Sequence, residues 1–96
     1  MKIPRDVIDF VVATFSQADA STALSALEVA TIHDGTPASD RLVRCCAVAS
    51  QGSLVNLASS IALLKIDWRD VIMQGEYRIK DGQPVRIRDL NNPIQS

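Results

Sequence analysis

Apolar residues recur at helical spacing over residues 1–75, and short polar or glycine-containing breaks interrupt the pattern. The first segment shows it most clearly, because it has a broad apolar face that consists of Ile3, Val7, Ile8, Val11, Val12 and Phe15. A period near 3.6 residues is typical of an amphipathic helix that packs one face on a core. The pattern predicts five short helices, at about 4–16, 20–33, 37–50, 54–65 and 68–75.

Residues that start or stop helices stand at the breaks. Asp19 or Ser21 can cap the second helix with its side-chain oxygen. At the next break, Gly35 is suited to end the second helix and Thr36 to cap the third. Pro37 then suits the first turn, where its missing N–H does no harm. These residues predict a direct junction between two helices.

The later part of the helical region carries two further signals. Residues 45–49 are apolar or small on all sides, so we expect the third helix to be the most buried. Asp67 is placed to cap the fifth helix, with Asp70 in its first turn, and Gly75 is placed to end it.

The pattern changes from helical to alternating at Glu76–Arg88. One parity is apolar and consists of Tyr77, Ile79, Val85 and Ile87. The other is cationic and consists of Arg78, Lys80, Arg86 and Arg88. A strand has a side-chain period of two, and Asp81-Gly82 interrupts the alternation at a turn. The segment therefore predicts a β-hairpin with one apolar and one basic face.

Two loop lengths are possible for this hairpin. A two-residue loop, 81–82, would place Arg78 opposite Val85 and mix the two faces. A three-residue loop, 80–82, would place Tyr77 opposite Val85, keep the faces separate and put Gly82 in the left-handed conformation. We expect the three-residue loop, with Pro84 on an edge strand and the apolar face packed on the helices.

These elements predict a mainly α fold, namely a compact bundle of about five short helices with a C-terminal two-stranded β-hairpin. A chain of 96 residues is long enough for one modest core. We expect one globular domain over 1–90, with the hairpin at about 76–88, and a flexible tail over 91–96.

Composition and charge narrow the functional classes. The net charge of −1 predicts no general affinity for nucleic acid, although 78–88 carries four basic side chains against Asp81 alone. No apolar run approaches the roughly 20 residues that span a bilayer. Asp6 and Asp9 interrupt what would be the apolar region of a secretory signal. We expect a cytoplasmic protein that does not associate with membranes.

Candidate chemistry is sparse. Cys45 and Cys46 are adjacent, so on a helix they point about 100° apart and cannot share a ligand. Buried cysteines of this kind usually act as small apolar side chains. His33 is the only histidine, and one histidine with two badly placed cysteines does not make a zinc site. We expect no catalytic, metal-binding or cofactor-binding residues, and no enzyme activity.

The best binding candidates are aromatic and basic. Trp and Arg are enriched at interaction sites, which points to Trp68 and Arg69, although Trp68 at helical spacing with Val71 and Ile72 is more often a core residue. The candidate interaction surface consists of Arg69, Arg78, Lys80, Arg86 and Arg88. We expect a non-catalytic interaction module whose partner is another protein or a second copy of the chain.

The alternative is a winged-helix-like protein that binds nucleic acid through the basic hairpin. Two helices joined by a tight junction and followed by a basic hairpin occur in the order that such a fold uses. Against it, Asp67, Asp70 and Glu76 outnumber Arg69 on the helix that would face the phosphates.

The helical pattern makes a direct prediction for the fourth helix. Leu57→Asp and Ile61→Asp should each unfold the domain, because each would bury an unpaired charge. Far-ultraviolet circular dichroism checks the result, and a folded Leu57→Asp variant would mean that the wrong face of this helix has been placed inward.

Overall fold

The computed structural model of the protein describes residues 3–94. Its elements follow the chain as α1 (Arg5–Thr14), α2 (Gln17–Glu28), α3 (Asp40–Ser50), α4 (Leu54–Glu76), β1 (Tyr77–Lys80) and β2 (Gln83–Arg86). The two strands form an antiparallel hairpin. The mainly α fold with a C-terminal hairpin is therefore confirmed, with four helices rather than five across 3–94.

The fourth and fifth predicted helices are two parts of α4, which is kinked at Asp67. This residue has φ −155° and ψ 95°, outside the helical region, while the residues on both sides are helical. The Asp67 side chain accepts a hydrogen bond from the Arg69 N–H at 3.1 Å. Asp67 thus caps the second part of α4 as predicted, but the interruption is only one residue long.

The predicted caps of the second and third helices are wrong. Ser16 caps α2, because its hydroxyl accepts from the Asp19 N–H at 3.2 Å. Ser39 caps α3 in the same way, accepting from the Leu42 N–H at 3.3 Å. In both cases the cap is a serine three residues before the backbone N–H that it accepts from, and not the residue that we expected.

The segment between α2 and α3 is an extended loop rather than a direct helix junction. Thr31 and Pro37 form an isolated antiparallel bridge around a turn at Asp34-Gly35. The Asp34 carboxylate accepts from the Thr36 N–H at 2.9 Å, so Thr36 stabilises the turn instead of capping a helix.

The core is aliphatic and centres on α3. Residues 42–47 of this helix are all buried, which confirms the prediction that it is the most buried one. The side chains with essentially no exposure include Val7, Val11, Leu27, Val43, Leu57, Leu64 and Val71. Leu57 is only 1% exposed, whereas Ile61 is partly buried at the edge of the core. An aspartate is therefore expected to be tolerated less well at 57 than at 61.

The hairpin has the two-residue loop, so the predicted three-residue loop is wrong. Arg78 pairs with Val85 and Lys80 with Gln83. Asp81 and Gly82 both have positive φ, 52° and 76°. This is the conformation of a type I′ turn, whose twist matches that of the two strands. Aspartate adopts positive φ at a smaller energetic cost than most residues other than glycine. The two-residue turn at 81–82 therefore forms, and it sets the register of the two strands.

The expectation that an apolar hairpin face packs on the helices is also wrong. The observed register mixes the faces, because Tyr77 lies opposite Arg86 and Arg78 opposite Val85. All residues of the hairpin except Tyr77 are exposed, and Ile79 is 66% exposed. The base of the hairpin is held by backbone hydrogen bonds from Ile87 N and Arg88 N to the Glu76 carbonyl, at 2.7 and 3.3 Å.

The end of α4 lies against α3 at a contact that only glycine permits. A Cβ atom on Gly75 would lie 2.8 Å from both the Cα and the Cβ of Cys45. The clash would involve backbone, so a side chain cannot simply move aside. Gly75 therefore allows the last turn of α4 to approach α3 closely.

We expect Gly75→Ala to lower the free energy of unfolding by about 1–2 kcal/mol, because the steric penalty exceeds the gain in helix propensity. Urea denaturation measures the change. Ser59→Ala, at an exposed position of the same helix, is the control and should shift the value by less than about 0.5 kcal/mol. An unchanged Gly75→Ala variant would show that α3 and α4 can separate freely here.

Candidate interaction surface

Glu76 is a fully buried carboxylate at the junction of α4 and the hairpin. The Arg41 guanidinium of α3 donates to it through two parallel hydrogen bonds, from Nε to Oε2 at 2.8 Å and from Nη2 to Oε1 at 2.9 Å. A planar guanidinium matches a carboxylate in this arrangement, and both partners are charged. The pair ties the end of α4 to the start of α3.

Two more elements donate to the same carboxylate. Arg86, on β2, donates from Nη2 and Nε to Oε1 at 2.9 and 3.1 Å. The backbone N–H of Leu90, in the segment after the hairpin, donates to Oε2 at 3.2 Å. One buried side chain therefore fixes α3, β2 and the C-terminal segment relative to one another. We refer to Glu76, Arg41 and Arg86 as the Glu76 cluster.

The electrostatics of this cluster favour the ionised carboxylate. The hydrogen bond from Arg41 is the largest influence, and with those from Leu90 and Arg86 it lowers the pKa of Glu76 although burial acts in the opposite direction. The same carboxylate raises the pKa of Arg41. Glu76 is thus charged at neutral pH inside the protein.

A second ion pair holds the C-terminal segment against α1. Arg44 donates from Nε and Nη2 to the carboxylate of Asp6, at 3.0 and 3.2 Å. The N–H of Ile94 also donates to Asp6, at 3.0 Å, and Leu90, in the same C-terminal segment, is buried. Burial acts to raise the pKa of Asp6, but the Arg44 guanidinium and the Ile94 N–H outweigh it, so the pKa is lowered. Of the predicted tail, residues 91–94 belong to this C-terminal segment, which the Ile94 hydrogen bond joins to Asp6 of α1. Residues 95–96 lie outside the described residues.

The structure separates the five cations that the sequence singled out. Arg78 and Lys80 are exposed on β1, and their side chains make no hydrogen bond or ion pair within residues 3–94. The Arg88 side chain is exposed, and among residues 3–94 its one hydrogen bond goes to the Gly75 carbonyl, at 3.4 Å. Arg69 lies on α4, with its guanidinium carbon 5.4 Å from the centre of the Trp68 ring.

Arg86 differs from the other four because it belongs to the Glu76 cluster. Its Nη2 also donates to Asp89 at 2.9 Å. Glu76, in turn, is not a surface acid on the last turn of α4, as the sequence had suggested, because its charge is buried and balanced. Trp68 is partly buried and packs against the core.

The hairpin also exposes apolar side chains. Ile79 is 66% exposed, and Val85 and Ile87 are each about two-fifths exposed. Cross-strand partners share a face, so Val85 lies beside Arg78 and Lys80, whereas Ile79 projects from the opposite face of the hairpin. We call the exposed residues of both faces, namely Arg78, Ile79, Lys80, Val85 and Ile87, the hairpin surface. Aliphatic and basic side chains side by side suit contact with another protein better than they suit contact with solvent alone.

Beside the hairpin lie two adjoining clefts, of about 700 and 450 Å³. Both are lined by Val48 of α3, by Gln51 directly after α3 and by Ile87 and Arg88, so they meet along the segment that follows β2. The larger cleft extends towards α1 and the C-terminal segment, and the smaller one towards α4 and β1. We call the two together the Arg88 groove.

The residues considered for covalent or metal chemistry lie elsewhere. Cys45 and Cys46 are fully buried, as predicted, and burial raises the pKa of each thiol to about 12. His33 is exposed in the loop before α3. From residue 3 to residue 94, no cluster of three or more His, Cys, Asp or Glu side chains is arranged to hold a metal ion. No helix in that range is long and apolar enough to cross a membrane.

Sequence reasoning missed the two buried ion pairs. Arg41 lies 35 residues from Glu76 and Arg44 lies 38 residues from Asp6. One local signal was present, because Arg41 and Arg44 are three residues apart and share a side of α3. Their partners could not be identified without the tertiary structure.

Comparison with known proteins adds no relative to this picture, because no family model, curated protein or solved structure matches the chain.

Removing the charge of Glu76 should destabilise the fold strongly. We expect Glu76→Gln to lower the free energy of unfolding at neutral pH by about 3 kcal/mol, because Arg41 and Arg86 lose their counter-charge. Urea denaturation measures it. Glu28→Gln, at an exposed acid that forms no ion pair within 3–94, is the matched control and should change little.

The stability that wild-type Glu76 adds over Glu76→Gln should decrease as the pH is lowered. The pKa of Glu76 is lowered in the folded state, so its stabilisation is complete above the unfolded value of about 4.3 and is lost as the pH falls through the folded value. The difference between the wild type and Glu76→Gln should therefore shrink on acidification. A difference that stayed constant down to about pH 3 would contradict the assigned ionisation state.

Proposed function

We propose that the protein is a small non-catalytic interaction module that binds another protein, or a second copy of itself, through the hairpin surface. The observation that carries the proposal is that Ile79 and Val85 project from a hairpin whose base is anchored by the Glu76 cluster. Apolar side chains displayed on a fixed support are typical of binding surfaces.

The strand edges support the same proposal. Within residues 3–94, β1 and β2 pair only with each other, so each strand keeps one edge of unpaired backbone groups. Such an edge can receive a strand from a partner, with backbone hydrogen bonds giving affinity and alternate side chains giving specificity. A second hairpin could pair with the first in a symmetric dimer.

Anchoring makes the hairpin suitable for this role. An isolated two-stranded hairpin is marginally stable in water. Here the Glu76 backbone carbonyl accepts hydrogen bonds from two N–H groups directly after β2. The Arg86 guanidinium of β2 also donates to the buried Glu76 carboxylate, which holds the second strand in place. Less conformational freedom is then lost when a partner binds, which favours affinity.

Nucleic-acid binding draws less support. A winged-helix protein would use Arg86 and Arg88 at the phosphates, yet Arg86 is committed to Glu76 and Asp89. Arg78, Lys80 and Arg88 remain as wing cations in a protein of net charge −1. This is a small basic footprint for a duplex, whose binding depends on many neutralised phosphates.

The hairpin surface can be tested with Ile79→Asp/Val85→Asp. Both side chains are exposed, so the fold should persist while the apolar contact is lost. Sedimentation velocity over the micromolar range and affinity capture from lysate, each compared with wild type, report self-association and partner binding. Val55→Asp/Ile66→Asp is the matched control, because both of its positions are exposed on α4.

We expect the hairpin variant to lose either the concentration-dependent increase in sedimentation coefficient or a captured protein, while the control variant keeps both. A wild type that stays monomeric, with the same captured proteins as the hairpin variant, would overturn the proposal.

A further inference from the structure

We propose that the Arg88 groove binds an extended peptide segment of a partner protein, in which acidic side chains stand beside an apolar one. This inference rests on the proposed interaction function and adds the chemistry of the partner.

The smaller cleft of the groove is cationic. Arg78 and Arg88 line it, and no carboxylate does so among residues 3–94. Neither arginine forms an ion pair in that range, and Arg78 has no side-chain hydrogen bond at all. In a protein with a net charge of −1, two arginines that have no ion-pair partner within residues 3–94 make this a favourable place for a carboxylate.

The lining of the same cleft includes amide groups that suit a peptide backbone. Gln74 accepts from the Ser60 hydroxyl through Oε1 at 3.3 Å, which leaves its NH₂ group as a donor. Asn56 donates from Nδ2 to the Ser50 carbonyl at 3.3 Å, which leaves Oδ1 as an acceptor. A backbone C=O and N–H of an extended segment require one partner of each kind.

The larger cleft provides the apolar half of the recognition. Phe10, Val48 and Ile94 line it and are half-buried, and Leu90 forms part of its floor. Asp89 also lines it, but this carboxylate is already bonded to Arg86 and Asn91. Acidic side chains of the ligand should therefore lie over the smaller cleft and an apolar side chain should enter the larger one.

An extended polypeptide fits this arrangement better than a nucleic acid does. The groove alternates a basic, amide-lined half with an apolar half, and only two cations face it within the described part of the chain. Phosphates along a duplex would require a longer basic stripe and would gain nothing from Phe10 and Ile94. About ten extended residues span roughly 33 Å, comparable with the 38 × 32 × 24 Å extents of the molecule.

The experiment uses a phage-displayed library of random peptides of about ten residues, selected on the whole wild-type protein. Enriched peptides are synthesised with a fluorescein label and titrated with each protein by fluorescence anisotropy. A labelled DNA duplex is titrated in parallel. The variant is Arg78→Gln/Arg88→Gln, and the control is Arg5→Gln/Lys65→Gln, which removes the same charge at exposed positions of α1 and α4 outside both clefts.

We expect enrichment of peptides that combine Asp or Glu with a large apolar residue. Arg78→Gln/Arg88→Gln should bind them about tenfold more weakly, and the control should differ by less than about twofold. Thermal unfolding confirms that each variant is folded. If the double variant is unstable, Arg78→Gln alone serves, because the Arg78 side chain has no hydrogen bond or ion pair to lose within residues 3–94, and a decrease of about threefold is expected.

Three results would overturn the inference. One is the absence of an acidic consensus among the selected peptides. Another is an equal loss of affinity in the groove variant and the control, which would reflect net charge alone. The third is duplex binding that depends on Arg78 and Arg88, which would assign the groove to nucleic acid. The proposed function is tested separately at Ile79 and Val85, so it can stand if this inference fails.

Discussion

An ionised carboxylate without access to water must have its charge balanced, and the way in which Glu76 meets this requirement organises much of the fold. Its balancing groups come from α3, from β2 and from the backbone after the hairpin. Helix packing alone would leave the hairpin as a marginal appendage. The buried charge makes the position of the hairpin depend on the position of the core helices, because the wrong arrangement would leave a charge unpaired. Such a group contributes to the uniqueness of the fold more than to its net stability.

This arrangement divides the hairpin into a constrained base and a displayed tip. Arg86 faces the buried carboxylate, whereas Arg78 and Lys80, of the same residue class and on the neighbouring strand, have no partner between residues 3 and 94. Basic residues that look alike in the sequence are thus of two kinds in the structure, one paired with a buried carboxylate and one exposed without an ion pair among residues 3–94. The unpaired cations can contribute to recognition without disturbing the fold, because they lie next to exposed aliphatic side chains and Arg78 also lines the Arg88 groove.

Local sequence patterns predicted the elements well and their junctions poorly. Apolar periodicity located the helices, and Asp81-Gly82 located the hairpin turn. The predicted hairpin register was wrong because both loop lengths place Gly82 at positive φ, so this glycine does not distinguish them. The observed loop also requires positive φ at Asp81, and the alternation of apolar and basic residues carries no information about that. The predicted caps of the second and third helices failed for a similar reason, since several residues near each helix start can cap it and Ser16 and Ser39 do so here. Glu76 could not be recognised as buried, because its main partner Arg41 is 35 residues away and the charge pattern alone resembles a solvated surface.

The hydrogen bond from Ile94 to Asp6 joins residues that are 88 positions apart. Arg44, which holds Asp6 in place, lies near the middle of the chain, so three distant regions meet at this point. Contacts of such large sequence separation form late, because a long loop must close before they stabilise anything. During synthesis, α1 can reach its final environment only after residue 94 has emerged from the ribosome. Until then Asp6 lacks one of its hydrogen-bond donors, so docking of the C-terminal segment is expected among the last steps of folding and sets the final position of α1.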